Sequence, residues 1–257
     1  MSALTEATQE LVAKIITSQA TANRECEVQK EVLAQNEDFV VLNAFCRLDA
    51  GNKSHVTTLD LVNFFRDNGL VVSEADCYML VKMFDSNGAG NLSLLDLMQI
   101  LCPRSYTYAK NYKATQEHYQ YGLLRQTLTY DVEYATMKVI EKEIECLKRV
   151  EVMKQQLVSQ FDYSVLSIFR AIDKYAHGKV NADNLRLFLR RFECSKTLDE
   201  SDIRAWISRY DRDVDGGLDF VDLVNALQTM TNYQPKVVQR ANGTGVLEEP
   251  QLTDENA

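Results

Sequence analysis

The sequence predicts an all-α protein made of two similar halves, and three observations support this prediction. Only three prolines occur in the 257 residues, and none lies between Pro103 and Pro235, so nothing in that span forbids a long helix. Apolar residues recur at three- and four-residue spacing in most segments, which is typical of one buried helix face. The chain also matches itself when it is shifted by about 124 positions, which indicates an internal duplication.

The duplication aligns charged residues as well as apolar ones, so it is more than a likeness between two arbitrary helices. The aligned pairs include Glu27 with Glu151, Lys30 with Lys154, Phe45 with Phe169, Asp49 with Asp173, Leu92 with Leu218 and Asp96 with Asp222. The last two pairs follow an insertion of two residues in the second half. Each half is therefore predicted to contain a long helix followed by two helix–loop–helix units.

Five segments follow from this repeat and from the composition. We predict a helical extension at 1–36, a first pair of helix–loop–helix units at 37–103, a connector at 104–159, a second pair at 160–231 and a tail at 232–257. The residues predicted to form the cores of the two pairs share the apolar helical stripes. They are Phe45, Leu48, Leu61, Phe64, Phe65, Leu80 and Phe84 in the first pair, and Ile168, Phe169, Ile172, Leu185, Phe188, Leu189 and Tyr210 in the second.

The connector and the tail differ in character from the two pairs. The connector opens with a tyrosine-rich stretch and continues as a helix with an apolar stripe. These residues are Tyr106, Tyr108, Tyr112, Tyr119 and Tyr121, followed by Met137, Ile140, Ile144 and Leu147. Tyrosine suits interfaces because it combines apolar area with a hydroxyl, and packing onto the helical pairs is an equal alternative. The tail holds Pro235 and Pro250 and ends acidic, which predicts an extension that is flexible or ordered by a partner.

Of the four predicted loops, the last (loop 4) is the richest in aspartate. Residues 211–222 read Asp-Arg-Asp-Val-Asp-Gly-Gly-Leu-Asp-Phe-Val-Asp. Calcium takes six to eight oxygen ligands from a loop that wraps around it, and this sequence resembles the calcium loop of the EF-hand family. The resemblance implies two EF-hand pairs joined by long helices, with short β pairing between loops. It assigns the ligands to Asp211, Asp213, Asp215, the carbonyl of Gly217, Asp219 through a water molecule, and Asp222.

Loop 4 fits the family pattern with one departure. Gly216 suits the left-handed backbone that the sixth loop position requires, because glycine has no Cβ. Leu218 is the apolar residue expected to pair with a neighbouring loop. The departure is Asp222, since the family prefers glutamate there and aspartate is one methylene shorter. We therefore expect weaker calcium binding and better tolerance of magnesium, which takes a smaller ligand shell.

Loop 2, residues 85–96, keeps the frame of a calcium loop but has lost part of its ligand set. Gly90 and Leu92 are in place, whereas Ala89 stands where a ligand belongs. Two interpretations stay open, a weaker second metal site or a loop held by its own hydrogen bonds. The candidate ligands are Asp85, Asn87, Asn91, Ser93 and Asp96.

Loop 1, residues 49–60, and loop 3, residues 173–184, are recognisable only by their place in the repeat. Their ligand positions hold Gly51, Lys53 and His55 in loop 1, and Tyr175 and His177 in loop 3. We interpret both histidines as loop residues rather than metal ligands. Val56 and Val180 are expected to pair with Leu92 and Leu218, so these two loops complete the pairs.

Composition argues against several other classes of protein. A net charge of -9 does not suit nucleic-acid binding, which needs clustered basic residues. No apolar run approaches the roughly 20 residues that span a bilayer, and no signal peptide is evident. The six cysteines are scattered, which predicts reduced thiols in the cytoplasm. No phosphate loop or nucleophile motif is present, so we predict that the protein is not an enzyme.

Two functions remain, a calcium sensor that binds a target helix and a structural or interaction protein. The second is favoured because three of the four loops are compromised and few methionines fall at groove-like positions. Duplicated EF-hand pairs with long helices and degraded loops resemble the EF-hand proteins of ciliary axonemes, especially those on doublet microtubules. This resemblance implies tubulin and other axonemal proteins as partners, and a location in the cilium.

Overall fold

The computed structural model describes residues 4–104, 128–230, 236–239 and 245–248. The tyrosine-rich stretch after Arg104 and most of the predicted tail lie outside these residues. The predicted all-α fold class is confirmed for the body of the chain, where the described residues form ten α-helices and one turn of 3-10 helix. Among the described helices, none combines the length and apolar character that crossing a membrane requires.

Two long helices and eight shorter ones make up this body. In chain order the helices are α1 (Glu6–Ala34), α2 (Val41–Leu48), α3 (Thr58–Asp67), α4 (Glu74–Phe84), α5 (Leu94–Leu101), α6 (Tyr130–Val158), α7 (Val165–Ile172), α8 (Ala182–Leu189), α9 (Glu200–Tyr210) and α10 (Phe220–Leu227). The 3-10 turn, Glu193–Ser195, lies between α8 and α9. Two strands, β1 (Lys236–Gln239) and β2 (Gly245–Glu248), pair antiparallel within the segment where the sequence predicted an extension.

The chain divides into two compact units, and each draws on two separate stretches of sequence. The C-lobe comprises the chain up to Glu25 together with Cys146–Thr229. The N-lobe comprises Cys26–Glu145 together with the chain from Met230 onward. The first part of α1 therefore belongs to the same unit as α7–α10, and the rest of α1 belongs with α2–α5.

The predicted cores of the two helical pairs are confirmed, since all fourteen predicted residues are buried. The long helices add further apolar side chains to each lobe. In the N-lobe these are Leu33, Met137, Val139 and Ile140, and in the C-lobe Val12, Ala13, Ile15, Ile16, Val150 and Leu157. Burial of apolar area is the main stabilising term in folding, so α1 and α6 are integral parts of the lobes.

Each lobe also contains a buried lysine from a long helix. In the N-lobe, Lys30 of α1 donates to the carbonyl of Gln99 near the end of α5, at 3.0 Å, and its Nζ lies 3.2 Å from the carboxylate of Glu143. In the C-lobe, Lys154 of α6 donates to the carbonyl of Gln228 at the end of α10, at 3.2 Å. A cation is favourable at a helix C-terminus. The two lysines that the repeat aligns therefore perform the same task in both lobes.

Gln19 connects the first part of α1 to the centre of the C-lobe. Its Nε2 donates to the Tyr210 hydroxyl and to the Ala226 carbonyl, both at 2.9 Å. Its Oε1 accepts a hydrogen bond of 3.0 Å from Nε1 of Trp206, which is completely buried. One side chain of α1 thus satisfies polar groups on both α9 and α10.

Candidate metal centre

All four loops share one backbone arrangement in which the first aspartate closes the turn. Its two carboxylate oxygens accept hydrogen bonds from the backbone N–H groups four and five residues later. In loop 4, the N–H groups of Asp215 and Gly216 donate to Asp211 at 3.3 and 2.9 Å. The same bonds run from Lys53 and Ser54 to Asp49, from Ala89 and Gly90 to Asp85, and from His177 and Gly178 to Asp173.

The four loops also share left-handed backbone at their fourth and sixth positions. The prediction for Gly216 is confirmed, with φ of +85°. The fourth position of loop 4 is Val214, whose φ of +58° is rare for a β-branched residue. The other members of this set are Asn52, Ser54, Gly88, Gly90, Ala176 and Gly178. Loops of different sequence therefore adopt one geometry.

The predicted pairing between neighbouring loops is confirmed. Val56 and Leu92 exchange two backbone hydrogen bonds of 2.9 and 2.8 Å, and Val180 and Leu218 exchange two of 2.8 and 2.9 Å. Each bridge joins an odd loop to the even loop of the same lobe. It also fixes which side chains of the two loops face each other.

Three predicted ligands of loop 4 come together in space. Carboxylate oxygens of Asp211, Asp213 and Asp215 lie within 4.8 Å of one another, and no other group of three or more potential ligand residues occurs in the described part of the chain. Asp211 is partly exposed, and the other two are exposed. A group of three carboxylates at this separation can supply oxygens to one cation, which is the donor chemistry that calcium and magnesium take.

Asp219 and Asp222 are not part of this cluster but bond to each other at the start of α10. Asp222 N–H donates to Asp219 at 2.8 Å, and Asp219 N–H donates back to the Asp222 carboxylate at 3.2 Å, forming a capping box at the start of α10. Burial raises the pKa of Asp222, and the negative charges of Asp219, Asp213 and Asp211 add to this increase. These carboxylates therefore repel one another, and a bound cation would relieve that repulsion.

A lysine from loop 3 reaches into loop 4. The ammonium of Lys179 forms an ion pair with Asp215, and its stem packs 3.4 Å from the place a Cβ on Gly217 would occupy. Gly217 itself donates its N–H to Asp215 at 3.1 Å. Sequence reasoning missed Lys179, although a signal existed. The residue precedes Val180, whose predicted bridge to Leu218 brings it beside the opposite loop.

The predicted ligands of loop 2 are largely engaged with the loop itself. Asn87 accepts a hydrogen bond from Ala89 N–H at 2.8 Å, and Asn91 donates to the Ala89 carbonyl at 3.2 Å. Ser93 and Asp96 form a capping box. Asp96 is completely buried, and its Oδ1 has no hydrogen-bond partner among the described residues. This orphan oxygen is the one feature of loop 2 that a cation would satisfy.

In loop 1, the positive charge is supplied by a lysine of the loop itself. The ammonium of Lys53 lies 2.7 Å from a carboxylate oxygen of Asp60 and 3.4 Å from the Thr57 hydroxyl. Thr57 and Asp60 occupy the ninth and last positions of the loop and also form a capping box. His55 contacts the Lys53 carbonyl through Nδ1 at 3.0 Å, and the His177 side chain is largely exposed.

Comparison of the chain with protein-family models and with curated proteins finds no match.

Proposed function

We propose that this chain is a calcium-binding protein with two EF-hand pairs, whose paired helices serve mainly as a structural and interaction component. The observation that supports it is the common geometry of the four loops. In each, an aspartate closes the turn, the fourth and sixth residues are left-handed, and a bridge joins neighbouring loops. A frame of this kind wraps oxygen ligands around a central point, as a calcium site requires.

The proposed calcium site is loop 4. Asp211, Asp213 and Asp215 would supply three carboxylates, with the carbonyl of Gly217 completing that side. Asp219, through a water molecule, and Asp222 would hold the ion from the start of α10. Magnesium would also fit, because Asp222 is shorter than the usual glutamate and magnesium takes a smaller ligand shell. Loop 2, with Asp85 at its start and Asp96 at its end, is the weaker second site.

The structural role is favoured because contacts within the protein hold each loop in shape. The loop backbones are fixed by hydrogen bonds from backbone N–H groups to the first aspartate, by the two bridges and by three capping boxes. In loop 1, the ammonium of Lys53 also neutralises the carboxylate of Asp60. A sensor needs the ion to change the arrangement of its helices. A lobe whose loops are held by so many protein contacts has less to gain from calcium.

One observation favours the alternative, a calcium sensor. Phe220 and Val221, the first two residues of α10, are 42% and 57% exposed directly after loop 4. An apolar surface beside a metal loop suits the capture of a target helix. In that case calcium would increase the binding of an apolar dye to the C-lobe, whereas the structural role predicts equal dye binding with calcium and with chelator.

The proposed setting is the cytoplasm, at the ciliary axoneme, with tubulin and neighbouring axonemal proteins as partners. Exposed valines on the long helices support an interaction role, since Val28 and Val32 of α1 and Val152 of α6 are each more than half exposed. Val28 and Val152 are aligned by the repeat, so both copies present the same apolar position. Co-purification with tubulin from axonemes is the test, and recovery only in a tubulin-free soluble fraction would refute this setting.

The metal site is tested by calorimetric titration of the full chain with calcium. Asp213→Ala is the sharpest variant, because Asp213 makes none of the backbone bonds that close the loop, whereas Asp211→Ala removes two of them. Both variants should abolish binding at loop 4. Asp183→Ala, which removes one exposed carboxylate from loop 3, should leave binding unchanged. Absence of binding by the unmodified chain would refute the site.

A further inference from the structure

Both carboxylate oxygens of Asp215 are already engaged within the protein. Oδ1 accepts the Gly217 N–H at 3.1 Å, and Oδ2 forms the ion pair with Lys179. Asp215 is also one of the three clustered carboxylates of loop 4. A divalent ion that takes an oxygen of Asp215 must therefore separate it from a positive charge that already neutralises it.

We propose that Lys179 is an internal competitor for the cation of loop 4, occupying Asp215 in the metal-free state and leaving it when the ion binds. This inference rests on the proposed calcium site. It adds that loop 3, although Tyr175 and His177 replace two of its ligands, sets the affinity of loop 4 through one ammonium group. The ammonium and the ion are alternatives because two cations sharing one carboxylate repel each other at close range.

The surroundings of Lys179 hold it in place for this role. Val180, the next residue, is bridged to Leu218 by two backbone hydrogen bonds, so the start of the Lys179 side chain is fixed beside loop 4. The stem passes over Gly217, which has no side chain to obstruct it. The Lys179 side chain is 47% exposed, so the ammonium has open solvent to enter when it is displaced.

The N-lobe provides an internal comparison. In the repeat, His55 occupies the place of Lys179, and Ala89 occupies the place of Asp215. The lysine and the aspartate are thus both present in the lobe with the fuller ligand set, and both absent in the other. Within the described residues, a lysine–aspartate pair between neighbouring loops therefore occurs only in the lobe with the fuller ligand set, since the Lys53–Asp60 pair of the N-lobe lies within loop 1.

The test is calcium titration of the full chain by calorimetry, comparing Lys179→Met with Lys174→Met. Methionine keeps the apolar stem of either lysine and removes its charge. Lys174 lies on the same loop and makes no ion pair in the described part of the chain, so it controls for net charge alone. We expect Lys179→Met to tighten binding roughly three- to tenfold, the range for losing one partly exposed ion pair and one nearby like charge. Equal affinities for the two variants would overturn the proposal.

A second measurement examines the ion pair without metal. In excess chelator, Lys179→Met should lower the denaturation midpoint of the C-lobe, and the same substitution in an Asp215→Asn background should not. A shift of equal size in both backgrounds would show that Lys179 does not act through Asp215, which overturns the proposal. If the pair is present but no variant binds calcium, both this proposal and the calcium site fail. If the unmodified chain binds calcium and Lys179→Met binds equally, only the competitor proposal fails.

Discussion

Replacing Gln19 with leucine should destabilise the C-lobe by about 3–5 kcal/mol. The change leaves three groups without their partner, namely the indole N–H of Trp206, the Tyr210 hydroxyl and the Ala226 carbonyl. A buried polar group that loses its partner costs roughly 1–3 kcal/mol. The Tyr210 hydroxyl can rotate, and leucine adds apolar contact, so the total lies below the sum of three full penalties.

Trp206 makes this measurement specific, because it is the single tryptophan in the sequence and is completely buried in the C-lobe. Guanidinium denaturation of the full chain, followed by tryptophan fluorescence, reports the free energy of unfolding of that lobe. Gln9→Leu is the matched control, since Gln9 lies on the same helix, is only partly buried, and forms one part-buried bond to the Leu4 carbonyl and one exposed bond to Arg191. If the two variants differ by less than about 0.5 kcal/mol, α1 does not contribute to the C-lobe core as the structure shows.

Two further predictions concern lysines. Lys53→Met should destabilise the N-lobe by about 0.5–1 kcal/mol, a value limited by the partial exposure of both Lys53 and Asp60. Denaturation followed by circular dichroism should show this loss of stability, whereas denaturation followed by Trp206 fluorescence should show no change. An unchanged midpoint by circular dichroism would contradict the prediction. Burial lowers the pKa of Lys154 to about 8, below its usual 10.5. Between these two pH values the folded state binds fewer protons than the unfolded state, so the stability of the C-lobe rises with pH. Fluorescence-detected denaturation should show the C-lobe gaining up to about 3 kcal/mol from pH 8 to 10.5 relative to Lys154→Met, and parallel pH profiles for the two proteins would refute this.

Much of the loop geometry could be predicted from sequence because local chemistry dictates it. An aspartate followed by left-handed residues forms a closed turn, as Gly90 and Gly216 indicated. An apolar residue two positions after each of these glycines marked the bridge to the neighbouring loop. The capping boxes of Ser93 with Asp96 and Asp219 with Asp222 are also local, although the resemblance to a calcium loop assigns these residues only as ligands.

Contacts that depend on distant parts of the chain could not be obtained in this way. The apolar stripe of α1 shows that the helix is buried, but Ile15 and Leu33 belong to different units and nothing in the periodicity distinguishes them. Gln19 lies in a mostly polar stretch of α1, and its three partners lie roughly 190–210 positions away along the chain. The sequence identifies Lys53 only as a replacement for a ligand in loop 1, because it cannot show that the Lys53 ammonium forms an ion pair with Asp60.

The divided make-up of the C-lobe has a consequence for how the protein is synthesised. The stretch up to Glu25 leaves the ribosome before roughly 120 residues of the N-lobe, and its partners in Cys146–Thr229 follow only afterwards. During that interval Val12, Ile15 and Ile16 have no finished core to enter, whereas residues 26–145 emerge as one continuous run. We expect residues 26–145, which form most of the N-lobe, to fold first during translation and the C-lobe to close late and slowly, since its contacts span most of the chain. Loop 4 would then acquire its native surroundings only after α10 has emerged, so a nascent chain stalled before α10 would hold an unprotected apolar helix for chaperones to recognise.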